Sequence, residues 1–412
     1  MVVKEDGIKA AVGFSENPNS FEAGREAAVS AFKNMGEREG SLILAFCTNK
    51  HDQKGIFEGI RSEAGEIPII GGSAIGVITN DRLGYEGYQV GLAILPKILR
   101  VEVEAVGGLD RGEKEVGLEL GERIARNRGP DEKLILLFYD SIKSAPPPAP
   151  VLNVSSYLLD GFERGLGKDP PMIVGAGLVG SYNFDRGKQF CGWQIGDQQA
   201  VSALLSGEFF VYTKIMHGCK PMSDYHRITR VEGPVVYEID GKPAMEVLDH
   251  LLGTGQWHKR LPLLLVTLGV NYGEKYGPYD EDSYVNRLIV GVLPEEKAIV
   301  LFEADFENGM EFQFMRRSVE LMEESARRGS REILDYLRKR NEEPFFAFYI
   351  DCAGRTSAYS GAEREEASIV QEIIGKRVPM LGFYSGVEIA PLLGKSRGLD
   401  WTGVLMILSR SS

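Results

Sequence analysis

Leu42 to Cys47 reads LILAFC, Leu134 to Tyr139 reads LILLFY, and Phe345 to Ile350 reads FFAFYI. Each is a short, unbroken apolar run. That is the pattern of a strand buried on both faces, where neither side meets water and no polar alternation is needed. Each run is followed by a loop of variable length, a helix-like stretch and a proline-led apolar strand ending in glycine. The three copies are PIIGGSAIG from Pro68, PMIVGAGLVG from Pro171 and PMLGFYSG from Pro379. Proline suits the head of a strand because its missing N–H lies outside the ladder. A closing apolar run follows in each copy, at Tyr88–Leu95, Val201–Leu205 and Val404–Leu408.

This repetition predicts an α/β fold with mixed sheets, built from repeated strand–helix–strand–Gly-turn–strand units. Within a unit the first two strands run parallel and the last antiparallel. Helical spacing is expected over Glu22–Met35, Gly112–Arg128, Val154–Leu166, Ser318–Arg328, Arg331–Arg340 and Ala362–Ile374, with Gly375 as a stop after the last. Ser144–Pro150, SAPPPAP, reads as a stiff surface loop. A turn at Asp240-Gly241 followed by Pro243 marks a boundary, giving two domains, 1–240 and 241–412.

The 412-residue chain carries a net charge of −12, which disfavours nucleic acid and anionic membrane surfaces as partners. No segment is apolar enough to span a bilayer. Its four cysteines, Cys47, Cys191, Cys219 and Cys352, form no CxxC pair and fit a reducing compartment, so a cytoplasmic location is expected. Asp280-Glu281-Asp282 matches no calcium loop and reads as solvated charge.

Gly218–Leu252, GCKPMSDYHRITRVEGPVVYEIDGKPAMEVLDHLL, resembles the end of a FIST N domain. Val285–Arg316, with its Asn286-Arg287 pair, is similar to the hairpins of a FIST C domain. Asp351-Cys352-Ala353-Gly354-Arg355 and Gly382–Ile389 resemble two further motifs of that domain. Val387 separates Gly386 from Glu388, where the family pattern joins glycine to glutamate. The resemblance implies a sensory protein for a small ligand, an amino acid or small carboxylate, that signals through a separate output partner, with a homodimer as one arrangement. It also implies an alternative, a haem-binding nitric oxide sensor, because some relatives bind haem. Otherwise no cofactor is expected.

In open α/β sheets ligands sit beyond the carboxyl ends of parallel strands. The glycine-rich turns, with Ser73, Ser181 and Ser385, are expected to converge there on a shared cavity. Arg355 would grip a carboxylate with a two-pronged hydrogen bond, and Glu388 would take an ammonium. Tyr384 would offer an apolar face, with Cys352, Arg287 and Asn286 as neighbours. The bland alternative is that Arg355, Glu388 and Arg287 form structural ion pairs.

Gly175–Gly180 fits G-x-G-x-x-G, but turn residues follow where a dinucleotide site needs a helix. A Cys352-dependent hydrolase or transferase would need a base, yet no histidine follows His258. The expectation is therefore a binding protein and not an enzyme. His217, His226, His250 and His258 are the candidate axial ligands for haem.

Overall fold

The computed structural model describes residues 9–129, 131–147, 150–253 and 256–412. The chain makes three units of like order. The first runs β1 (Ala11–Ser15), α1 (Ser20–Met35), β2 (Leu42–Cys47), α2 (Gln53–Ala64), β3 (Ile69–Ser73), β4 (Gly76–Thr79), β5 (Leu83–Tyr85) and β6 (Val90–Leu95). The second runs β7 (Arg100–Gly107), α3 (Glu113–Arg126), β8 (Glu132–Asp140), α4 (Ser155–Leu166), β9 (Met172–Leu178), β10 (Gln189–Gly192), β11 (Gln194–Gly196) and β12 (Gln199–Ser206). The third runs β13 (Phe210–Met216), α5 (Val319–Lys339), β14 (Glu342–Cys352), α6 (Ala367–Val370), β15 (Met380–Ser385), β16 (Val387–Leu392), β17 (Lys395–Leu399) and β18 (Gly403–Ser411). An insertion, 217–317, separates β13 from α5.

No unit completes its own sheet. The three six-stranded sheets have the orders β1-β6-β2-β3-β10-β11, β7-β12-β8-β9-β16-β17 and β13-β18-β14-β15-β4-β5. Each unit lends a hairpin to its neighbour in a closed cycle: β4–β5 joins the third sheet, β10–β11 the first and β16–β17 the second. In each sheet the first and second long strands of a unit are parallel and the closing strand is antiparallel to the first. Gly71, Gly175 and Gly382 hold the same place in these parallel pairs. A Cβ there would come within 2.1, 1.7 and 2.3 Å of the carbonyl oxygens of Ala45, Leu137 and Tyr349.

The apolar runs fill this frame. The inner faces of the three sheets share one core, in which the Phe46 ring lies 5.3 Å from Phe138, 5.9 Å from Phe348 and 4.0 Å from Phe383. Truncating one such ring to alanine costs about 3–5 kcal/mol. The outer faces are covered by α1 with α2, α3 with α4, and α5 with α6.

Three expectations change. The two helices expected over Ser318–Arg328 and Arg331–Arg340 are one helix, α5. Gly329 and Ser330 lie inside it, and a Cβ on Gly329 would stand 2.6 Å from the Met216 sulfur, so the glycine permits close packing on β13 and is not a stop. Glu281 is not a solvated charge. It accepts the His217 N–H at 2.8 Å, the Gly218 N–H and the Ser325 hydroxyl at 2.7 Å, and pairs with Arg328. Finally, residues 240 and 241 form a turn inside the nine-stranded sheet of the insertion, where Lys242-Pro243 pairs with Glu238-Ile239, so the expected domain boundary falls within one sheet. Of the Ser144–Pro150 loop, residues 148 and 149 lie outside the described residues.

The insertion also docks on the second unit. The Glu303 carboxylate accepts the Ser155 and Ser156 N–H groups at 3.1 and 3.2 Å, satisfying the N-terminus of α4 from far along the chain.

Candidate functional site

The three glycine-rich tips meet at one end of the frame. The Ile75 N–H donates to Tyr384, the Gly386 N–H to Gly177, the Ser73 N–H to Lys188 and the Asn49 N–H to Gly180. The expected shared cavity is filled, however. Ile75, Val179 and Tyr384 pack together there, and Ser73 and Ser385 are buried. The Ser73 hydroxyl accepts the Lys188 N–H at 2.9 Å, and Ser181 closes a local turn with Asp185 at 2.6 Å.

Arg355 is wholly buried and engaged. It donates to Asp351 at 3.0 Å, to the carbonyls of His217 and Trp401 at 3.2 and 3.0 Å, and pairs with Glu366. Sequence reasoning assigned this guanidinium to a ligand; its own neighbours hold it. Two carboxylates share one cation: burial and then Glu366 raise Asp351 well above the usual carboxylate range, and burial raises Glu366 against the pull of Arg355. Glu388 is also fully buried, and burial raises it well above the usual carboxylate range. The Ser385 hydroxyl lies 2.6 Å from its Oε1 and 3.0 Å from the Asp351 carbonyl. This carboxyl, buried and bonded to Ser385 and to the Thr402 N–H at 3.1 Å, has no face open to an ammonium. Tyr384 reaches Glu365 with its hydroxyl at 3.3 Å and has no exposed face.

Arg287 is likewise structural, held by Asp305 through Nε and Nη2 and by the carbonyls of Asn286 and Gly398. Asn286 accepts from Thr267 at 3.2 Å.

The place where the units and the insertion leave something unmatched is the corner around Cys352. This thiol packs with Leu288 of the insertion and with Trp401, beside half-buried Leu264, Val290 and Phe302. Trp401 sits in the left-handed region at φ 53°, a rare conformation for a bulky residue and one that marks strain. Its ring is bounded on one side by Gly354, where a Cβ would lie 2.5 Å from Nε1. The guanidinium carbon of Arg317 lies 4.0 Å from the ring centroid. Arg317 is 6% exposed, its Nη1 has no hydrogen-bond partner, and no carboxylate among the described residues pairs with it. Burial lowers its pKa, as does nearby Arg355, against the opposing pull of Cys219, Cys352 and Glu366. Tyr182 closes the corner from the second unit, with its hydroxyl 2.7 Å from Thr356 Oγ1 and its ring stacked on Tyr359 at 4.5 Å. Burial and then Glu388 push the Cys352 thiol well up, so it stays protonated at neutral pH.

Of the expected contacts, Cys352 packs in this corner and Arg355 borders it through the Trp401 carbonyl. Arg317, Trp401 and Tyr182 were not found by sequence reasoning. The only local signal for Arg317 was a basic pair, Arg316-Arg317, that reads as surface.

Of the four candidate axial histidines, His217 is engaged at both ring nitrogens. His217 accepts the Cys219 N–H at Nδ1 and meets the Glu281 carbonyl at Nε2, which leaves no ring nitrogen for iron. His226 holds Asp240 at 2.7 Å, and His250 is exposed at the end of a short helix. His258 sits in a one-turn segment beside Trp257.

Residues 41–242 match the FIST N domain and residues 244–391 the FIST C domain. The chain belongs to the FIST family. FIST domains are recognised as sensory, ligand-binding domains. An uncharacterized protein of Methanocaldococcus jannaschii is 27% identical over 266 residues, 58% of this FIST chain and 49% of the relative. An uncharacterized protein of Mycobacterium tuberculosis is 24% identical over 181 residues, 44% of this chain and 46% of the relative. The chain thus spans about half the length of the curated relatives it matches. Among solved structures, a chorismatase aligns with TM-score 0.36 and 12% identity, covering 98% of this chain and 99% of that one. A cyanuric acid hydrolase from A. caulinodans aligns with TM-score 0.35 and 9% identity, covering 98% and 100%. Neither likeness is close enough to carry chemistry across.

Proposed function

We propose that this FIST protein is a small-ligand sensor whose ligand is a small carboxylate, amino acids included, held at the Cys352 corner with its carboxylate on Arg317. One observation carries the reading: Arg317 is a buried cation over an aromatic ring, and among the described residues no carboxylate is paired with it; Glu366, held by Arg355, reaches it only as a longer-range charge. An uncompensated charge away from water is costly. A carboxylate accepts two parallel N–H bonds from a guanidinium and removes that cost. Trp401, Leu288 and Tyr182 offer apolar surface for the rest of the ligand. Cys352 serves as a wall, since a protonated thiol without a base is a poor nucleophile.

Arg317 is the last residue of the insertion, and Cys352 and Trp401 belong to the third unit. A ligand between them favours whichever placement of insertion and unit lets both touch it, and so shifts that equilibrium. The output lies with a separate partner protein in the cytoplasm, where the four thiols stay reduced.

A thermal-shift screen against amino acids, small carboxylates and their amides tests this. Carboxylates are expected to raise Tm, their amides not, and Arg317→Gln is expected to remove the response. No shift with any carboxylate, or an equal shift in Arg317→Gln, contradicts it.

A further inference from the structure

Each six-stranded sheet has one edge formed by the first strand of its unit, β1, β7 or β13. Such an edge presents unpaired N–H and C=O groups and is a template for another strand. Among the described residues, a side chain caps part of each edge. On β13, Asp282 accepts the Ile215 N–H at 3.3 Å and pairs with Lys214 at 2.6 Å. On β7, Arg123 of α3 donates to the Ala105 carbonyl at 3.0 Å.

The edge of β1, capped only at the Val12 carbonyl, also forms a wall of an open cleft of about 1240 Å³. The opposite wall is the β4–β5 turn and the helical stretch Ser368–Lys376. The Asn34 side chain donates to the Val12 carbonyl at 2.9 Å, so Val12 turns its backbone away from β6. By the alternation of an antiparallel pair, the N–H groups of Val12 and Phe14 and the Phe14 carbonyl point the same way. The cleft holds four carboxylates, Glu16, Glu26, Asp81 and Glu372, against two basic groups, Arg82 and Lys376, with Glu372 also paired to Arg364 at 3.3 Å. Hydrogen bonds from Ser15 and Asn17 hold Glu26 below the usual carboxylate range, so it is charged at neutral pH.

We propose that this cleft is a docking site for a partner protein, which adds an extended segment with basic side chains as a further strand on β1. Main-chain bonds to Val12 and Phe14 give the affinity, and the carboxylates select the charge. The site is distinct from the Cys352 corner, and its test is independent of any ligand there.

The probe is a labelled, capped valine–lysine octapeptide of alternating sequence, followed by fluorescence anisotropy, with amide exchange at Val12 and Phe14 read by NMR. The wild-type protein is expected to bind it and to slow exchange at both amides. The valine–glutamate counterpart and a backbone N-methylated lysine peptide are expected to bind at least about tenfold more weakly. Glu26→Gln combined with Glu372→Gln, checked for unchanged melting, is expected to weaken the lysine peptide by a similar factor. Absence of binding overturns the proposal. So does equal binding of the acidic or N-methylated peptide, or binding without protection of Val12 and Phe14.

Discussion

The guanidinium carbon of Arg317 lies over the Trp401 ring, 4.0 Å from its centroid, and the carbonyl of the same tryptophan accepts from Arg355 at 3.0 Å. Trp401 therefore joins a saturated cation to an unsatisfied one. Its left-handed backbone costs on the order of 1–3 kcal/mol and persists only because the surroundings fix it. The buried network behind Trp401 builds the corner, and Arg317 is the part left for a guest.

Arg355→Met is expected to lower stability by about 3–5 kcal/mol, because it strands Asp351 and Glu366 without their cation. Urea denaturation measures this. Glu366→Gln keeps the geometry and removes only one of two competing acids, so its loss is expected to be smaller. An unchanged midpoint in Arg355→Met would show that the network does not hold the turn.

Cys352 is expected to react with iodoacetamide at pH 7.5 far more slowly than it does in urea, since burial keeps its thiol protonated. Mass spectrometry of the labelled peptides reads this. Cys352→Ala is expected to retain the thermal response to carboxylates. Fast labelling in the native state, or loss of that response, would restore the thiol to a chemical role.

Asp400 supplies a pH dependence of known sign. Burial pushes it up to about 7 against the pull of Arg287. Its folded-state value lies above its unfolded one, so the folded protein holds a proton that the unfolded chain has lost. That favours folding at low pH, and the benefit falls as pH rises from about 4 to about 7. Asp400→Asn is expected to flatten this part of the stability profile between pH 5 and 7.5. Urea melts across that range check it, and an identical slope in wild type and variant would count against the assignment.

Much of the frame was legible because it rests on local chemistry. Unbroken apolar runs at Leu42, Leu134 and Phe345 lie in β2, β8 and β14, and the proline-led strands are β3, β9 and β15. The exchange of hairpins was not legible. A strand such as β4 has the same pattern whichever sheet it joins, and its pairing with β15 rather than within its own unit is decided by tertiary packing. The Gly329–Ser330 break failed for a similar reason, since glycine as a stop and glycine as a close-approach site look alike in sequence. The site followed the same division. Cys352 and Arg355 stood out as a motif, yet whether a guanidinium is free depends on where Asp351, Glu366 and two carbonyls fall around it. Arg317 looked like surface charge, and only Trp401, distant in the chain, makes it a buried cation.

Isothermal titration calorimetry of wild type, Arg317→Lys and Arg317→Gln tests the central claim most directly, using the carboxylate that gives the largest thermal shift. The account predicts saturable binding to wild type, weakened at least about tenfold in Arg317→Gln, with Arg317→Lys intermediate because a point charge replaces a two-pronged fork. Equal affinities in all three proteins would contradict it.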